Sequence, residues 1–212
     1  MKRHQGLFIT FEGSEGCGKS TQSKMLLDHL EAEGVLAVLL REPGGVKISE
    51  KVREILLDKK NTAMTKECET LLYMAARAQL VEEALLPELK KGKVVILDRF
   101  LDSTVAYQGY GCGVDAATIR AIGLFATQGV QPDVTFFLDL DAAEGLRRRG
   151  SERDRIEERA LEYHQRVRRG YQAIAEEEPA RVVQIDGKLS KESIFEIIRK
   201  RVDLLLREKG HA

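Results

Sequence analysis

Hydrophobic positions along the chain follow two alternating rhythms. Apolar runs of four to seven residues, rich in β-branched and aromatic side chains, fall at 7–11, 35–40, 94–97, 134–140 and 181–185. Such runs predict strands buried on both faces. Between them, apolar residues recur every three or four positions, the period of an amphipathic helix. This spacing predicts a helix over 19–33, with Ser23, Leu27 and Leu30 on one face and Gly34 as its stop. A short helix follows over 49–57. A long one covers 66–91, with Leu71, Met74, Ala75, Ala78, Val81 and Leu85 facing the core, and Pro87 kinks or ends it. Further helices are predicted near 103–108, over 116–127, over 142–149 with a break at Gly150-Ser151, and over 155–177. Ser190 caps a last helix that turns Ile194, Ile197, Ile198, Val202 and Leu205 inward.

Strands alternating with helices imply an α/β fold: a five-stranded parallel sheet with helices on both faces. With neither repeats nor a linker, residues 1–212 read as one domain. Ligands of such sheets lie beyond the carboxyl ends of the strands. Attention therefore falls after Phe11, after Leu40, after Leu97 and around Asp139.

Composition narrows the function. Lys+Arg and Asp+Glu each number 34, so the formal net charge is zero. That argues against a nucleic-acid coat or a membrane-adhering basic module, which need a cationic excess. Cys17, Cys68 and Cys112 are far apart and form no CxxC, so no disulfide framework or cysteine zinc site is expected. The expected compartment is the reducing cytoplasm. The segment after Met1 is too short and too charged for a signal peptide or a spanning helix.

The strongest chemical signal follows the first strand. Gly13-Ser14-Glu15-Gly16-Cys17-Gly18-Lys19-Ser20-Thr21 satisfies GxxxxGK[ST], the P-loop. Its glycines let successive N–H groups face an anion, and the helix beginning at Lys19 adds its positive end. Lys19 supplies a cation for β- and γ-phosphates, and the Ser20 hydroxyl can ligate Mg²⁺. A GTPase base-reading motif is missing, since Asn61 stands alone. The third strand ends in Asp98-Arg99 rather than the paired acids of motor-type ATPases. Both observations point to a small kinase with a second substrate in place of water.

Candidates for holding that substrate gather near the same sheet edge. They are the loop 41–45, Tyr73 with Arg77 one turn on, Asp98-Arg99, the segment 103–108, and arginines 147, 148, 149, 153 and 155 around Gly150. Without further context, Tyr73 would be a core residue and Arg147 to Arg149 a solvated face.

At these residues the chain resembles the thymidylate kinase family. Phe11-Glu12-Gly13, the loop 41–45, Tyr73 with Ala75-Ala76-Arg77, Asp98-Arg99, Ser103-Thr104 with Ala106-Tyr107-Gln108, and Asp154-Arg155-Ile156-Glu157 match in order and spacing, over about 7–205. The resemblance implies transfer of the ATP γ-phosphoryl group to dTMP, with Mg²⁺, in a homodimer. It places Tyr73, where the family more often has Phe, on thymine. Arg77, Thr104 and Gln108 fall on the base, with Ser103 beside them, and Tyr107 falls against the sugar 2′ position. Glu15 would meet the 3′-hydroxyl or the phosphate region. Arg99 and the loop carrying Glu42 and Pro43 would position the acceptor phosphate, Asp98 would hold Mg²⁺, and Arg148 would lie against adenine. Glu15 in the P-loop, with no arginine there, resembles the bacterial subtype, whose catalytic arginines come from a lid. Here the lid is about 147–156, with Arg149 and Arg153 as candidates. Alternatives are another nucleoside monophosphate kinase, a deoxynucleoside kinase, or an ATP-gated binding module.

Overall fold

In a computed structural model of the chain, residues 5–150 and 154–210 are described. The described strands form one parallel sheet in the order β2-β3-β1-β4-β5. They are β1 (Leu7–Glu12), β2 (Ala37–Arg41), β3 (Val94–Asp98), β4 (Val134–Asp139) and β5 (Val182–Asp186). Central β1 is buried at every residue and pairs Ile9 with both Ile96 and Val134. Its period of two sends alternate side chains to opposite layers. Leu7, Ile9 and Phe11 meet Leu26 and Leu30 of α1 (Lys19–Ala32) and Ile194, Ile198 and Val202 of α9 (Lys191–Lys209) in one core cluster. Phe8 joins the other layer with Leu80, Val81, Leu85 and Phe100. Each fully buried side chain of this kind contributes about 1.5–3 kcal/mol. A buried polar pair inside the sheet, Thr10 and Thr135, is satisfied by a 2.6 Å hydrogen bond between the hydroxyls.

The remaining described α-helices are α2 (Lys47–Leu57), α3 (Lys66–Leu80), α4 (Leu86–Lys90), α5 (Leu101–Thr104), α6 (Ala116–Ala126), α7 (Ala142–Arg149) and α8 (Leu161–Glu177), and α5 runs on into a π-helical segment, Val105–Gly111. Four sequence expectations are corrected. Strand β2 starts at Ala37, because Val35 still donates its N–H to Leu30 and completes the end of α1. The long helix neither stops nor breaks at Pro87. It widens into a π-turn over Val81–Leu85 and continues as α4. The wider turn absorbs the proline ring and the N–H it lacks. Leu71, Ala75 and Ile197 are exposed rather than core-facing, Leu71 at 55% and Ile197 at 38%. Residues 155–158 form a turn, and the helix expected from Arg155 begins at Leu161. There Asp154 Oδ1 accepts from the N–H groups of Ile156 and Glu157, a side-chain turn that competes with helix.

Candidate active site

The carboxyl ends of β1 and β3 lie side by side, with Phe11 beside Asp98. Beyond them opens a cavity of about 580 Å³. One wall is the P-loop. Gly18 holds φ 99°, a left-handed conformation that suits glycine, and α1 starts at the next residue. Lys19 is buried and its Nζ donates to the carbonyls of Gly13 and Ser14 at 3.0 and 2.8 Å. Ser14 Oγ is buried without a hydrogen-bond partner among the described residues, which suits a loop built to face phosphate oxygens. Cys17 is buried, with its sulfur 3.5 Å from Lys19 Nζ. Gly16, Gly18, Ser20 and Thr21 all border the cavity.

Ser20 Oγ donates to Asp98 Oδ2 at 2.7 Å, joining the two residues expected to hold Mg²⁺. No group of three or more His, Cys, Asp or Glu among the described residues could form a cage. A hydroxyl and one carboxylate still fit this ion, which keeps several waters and shares its sphere with substrate phosphates.

Between the walls stands Arg99, one of two described non-glycine residues at positive φ, here 72°. Strain of this kind persists where the surroundings over-determine it. Its Nη2 donates to Glu15 Oε1 at 2.6 Å, its Nη1 to the Gly13 carbonyl at 3.0 Å, and its guanidinium lies 5.0 Å from the Tyr107 ring centre. Tyr107 donates its hydroxyl to the same Glu15 oxygen at 2.7 Å. Burial opposes the Glu15 charge, but Arg99, Lys19 and the Tyr107 hydroxyl outweigh it and hold the carboxyl down at about 2.

The opposite wall brings together Tyr73, Arg77, Ser103, Thr104, Tyr107 and Gln108 with Glu42 and Pro43. Two sequence expectations change here. Arg77 is 1% exposed and does not offer free donors to a base. Its Nε and Nη2 meet Glu42 Oε2, Nη1 meets Thr104 Oγ1 at 2.9 Å and Met74 Sδ at 3.3 Å, and Nη2 also meets the Phe100 carbonyl at 2.9 Å. Correspondingly, Glu42 faces Arg77 instead of a phosphate, as electrostatics requires of a carboxylate. Gln108 gives its amide to Glu69 at 2.9 Å, and Ser103 gives its hydroxyl to Glu12 at 2.5 Å.

Three contributors escaped the sequence reading. Glu12 lies fully buried below the Arg99 turn, where it accepts from the Phe100 N–H, the Ser103 hydroxyl and the Tyr171 hydroxyl. Burial, then the charge of Asp102, raises its carboxyl to about 7. Arg53 of α2 borders the cavity and donates to the Pro43 carbonyl, and nothing local in the sequence marked it. Glu69 was hidden by its place on an ordinary amphipathic helix.

On α7, Glu144 accepts from both Arg147 and Arg148. Arg148 borders the cavity and also reaches the Gly187 carbonyl at 3.3 Å, whereas Arg147 stays on the solvated face. Arg149 borders the cavity and donates to Glu157 at 2.7 Å. Arg153 lies outside the described residues. Helix α7 touches the P-loop without side chains between them. A Cβ added to Gly16 would come within 2.1 Å of the Gly145 carbonyl oxygen, and one added to Gly145 within 2.2 Å of the Glu15 carbonyl oxygen.

Comparison with known proteins decides the family. The thymidylate kinase family model matches residues 11–198. The chain belongs to the thymidylate kinase family. It is 44% identical over 204 residues to the thymidylate kinase of Caldanaerobacter subterraneus subsp. tengcongensis, covering 96% of this chain and 98% of that one. It is 47% identical over 206 residues to the thymidylate kinase of Roseiflexus sp. (strain RS-1), with 91% of each covered. The crystal structure of thymidylate kinase from Ehrlichia chaffeensis superposes with a TM-score of 0.76 at 35% identity, covering 93% of this chain and 98% of that chain. Among the described residues of this family member, no helix is long and apolar enough to cross a membrane.

Proposed function

We propose that this chain is a dTMP kinase, transferring the γ-phosphoryl group of ATP to dTMP to give dTDP and ADP in nucleotide synthesis. One observation carries the reading: a single cavity joins the P-loop to the pocket of Tyr73, Thr104, Tyr107 and Gln108 across the Asp98-Arg99 turn. An oxygen of the dTMP phosphate attacks the γ-phosphorus as the bond to the β,γ-bridging oxygen breaks, and ADP leaves with that electron pair. Both partners are anions, so the residues must spread positive charge along the line of transfer. Lys19 serves the β- and γ-phosphates, Arg99 the acceptor phosphate, and Arg149, with Arg153, the transferred group. Glu15 keeps Arg99 and Tyr107 in register. Mg²⁺, held through Ser20 and Asp98, neutralises phosphate charge when bound. Tyr73 stacks on thymine, and Arg77 acts on the base through the Thr104 hydroxyl it orients. Gln108 and Ser103 complete the pocket, Glu42 and Pro43 hold its rim, Tyr107 crowds the 2′ position, and Arg148 covers adenine.

The chain works as one kinase domain whose segment 147–156 is the lid, in the cytoplasm, where ATP is supplied and its three free cysteines stay reduced. It works as a homodimer. Support comes from exposed apolar residues on neighbouring helices: Ile48 and Ile55 of α2, Leu71 of α3, and Leu124 and Phe125 of α6. Such a patch marks an interaction surface, and sedimentation of the wild type beside Phe125→Asp tests it.

A coupled ADP-release assay over dTMP, dUMP, dCMP, dGMP, UMP, AMP and thymidine tests the activity. Strong preference for dTMP is expected. The methyl distinguishing thymine from uracil is worth only about 1–3 kcal/mol, so some dUMP turnover is compatible. Preference for another acceptor overturns the base-pocket assignment, and no acceptor-dependent ADP release overturns the kinase reading.

A further inference from the structure

Glu69 lies on α3 one turn before Tyr73 and has no exposed surface. A buried carboxylate is costly unless its oxygens are met by donors. This one is met from three directions. Gln108, from the acceptor pocket, donates its amide to Oε1 at 2.9 Å. Arg155 and Arg159 each donate Nη2 to Oε2 at 2.6 Å. Arg155 is fixed at its other edge, where Nε donates to the Leu56 carbonyl at 2.8 Å. The turn beginning at Asp154 then continues the connection. Glu157 Oε2 accepts from the Asp154 N–H at 3.0 Å, and Glu157 Oε1 accepts from Arg149 Nε at 2.7 Å. An unbroken series of hydrogen bonds and short covalent steps thus runs from the pocket for the acceptor base to a guanidinium at the phosphate end of the cavity.

We propose that Glu69 is a positioning residue for phosphoryl transfer: it sets Arg149 against the acceptor-base pocket by holding Gln108 and Arg155 on one carboxylate. The proposal rests on the dTMP kinase reading above. Stability alone does not account for the arrangement, because apolar residues of similar volume in place of a buried ion cluster are often as stable or more so. A shared carboxylate does what an apolar plug cannot: it fixes the relative positions of two elements through directed, charge-assisted bonds. A base that orders Gln108 therefore also orders the turn that carries Glu157, and with it Arg149. Misplacing a transfer group by an ångström costs large factors in rate, so the contribution belongs in kcat.

The test is a double-mutant cycle in the intact enzyme with ATP, Mg²⁺ and dTMP, using Glu69→Gln, Arg149→Lys and the pair, with thermal melts alongside. Glu69→Gln is expected to lower kcat about tenfold, with KM for ATP within about twofold of wild type, and the pair is expected to be no slower than the slower single variant. Effects on kcat that multiply overturn the proposal, as does an unchanged kcat with only a lowered melting temperature. Should Glu69→Gln fail to fold, Arg155→Lys replaces it in the same cycle, because Arg159 still compensates Glu69, and the same outcomes apply. Wild type without dTMP-dependent ADP release would instead sink the parent reading, whereas dTMP-dependent turnover with a multiplicative cycle sinks this inference alone.

Discussion

Arg77→Ala separates a base-reading guanidinium from one that builds the pocket. Arg77 and Glu42 are 1% and 6% exposed, and burial holds the Glu42 carboxyl above its usual range even with Arg77 beside it. Deleting the cation leaves Glu42 uncompensated, with one oxygen that already lacks a partner among the described residues. Breaking a buried pair of this kind costs about 3–5 kcal/mol. Total stability is about 5–15 kcal/mol, and for a chain of this size each kcal/mol moves the melting temperature by about 2–4 °C. The expected loss is therefore roughly 6–20 °C. The pH dependence carries a definite sign. In the variant, the Glu42 carboxyl moves further up, so the folded state binds its proton more tightly than the unfolded state does. Stability then falls as pH rises from the unfolded value, about 4.3, toward the folded one. The deficit is larger at pH 8 than at pH 5. Arg77→Ala combined with Glu42→Gln removes the stranded charge and recovers part of the loss. Thermal melts at both pH values, with KM for dTMP and ATP, provide the assay. A variant that melts within about 2 °C of wild type, or a double variant no better than the single, would refute the reasoning.

Lys19→Ala is expected to abolish turnover, since it removes the cation that serves the transferred phosphate; near-normal ADP release would refute the P-loop assignment. Gly145→Ala places a methyl on the Glu15 carbonyl, so α7 must move away from the P-loop. Its KM for ATP should rise about tenfold or more, and unchanged ATP kinetics would show that the contact carries no positional load. Glu12, raised to about 7, binds its proton more tightly in the folded state. Its contribution therefore falls as pH rises from about 4.3 through 7, by up to about 3 kcal/mol. Melts of Glu12→Gln should lack that slope between pH 5 and 7, and a slope equal to wild type would mean that other groups produce it.

The five parallel strands and the helical layer on each face follow from the apolar runs, because a parallel strand covered by helices must be apolar on each face, whereas their order across the sheet came only from the structure. The P-loop was equally legible, since its chemistry is local and contiguous. Tertiary partnership was not. Nothing in Tyr73-x-x-x-Arg77 tells whether the guanidinium faces a ligand or a buried carboxylate 35 positions earlier, and Glu42 decides that question. Glu12 stood only as a charged residue just past the first apolar run, and only folding brings Tyr171 and Ser103 onto its oxygens. Leu71 carried the helical period of a core residue, because periodicity marks an apolar face without saying what covers it. Asp154 delayed the start of a predicted helix through a side-chain turn that a period-based reading passes over.

The single Glu15 oxygen shared by Arg99 and Tyr107 has a consequence for inhibitor chemistry. On the dTMP kinase reading proposed above, a compound that occupies only the sugar end of the acceptor pocket and displaces the Tyr107 hydroxyl also alters the anion that orients Arg99, on the loop that would cradle the donor nucleotide. Such a compound stays competitive against the acceptor, but because it changes the nucleotide's affinity without competing for its space, its inhibition against ATP is mixed rather than purely noncompetitive. Analogues that preserve the tyrosine–carboxylate bond leave the donor side untouched. Whether a ligand spares or breaks one 2.7 Å hydrogen bond thus sorts a chemical series into two kinetic classes.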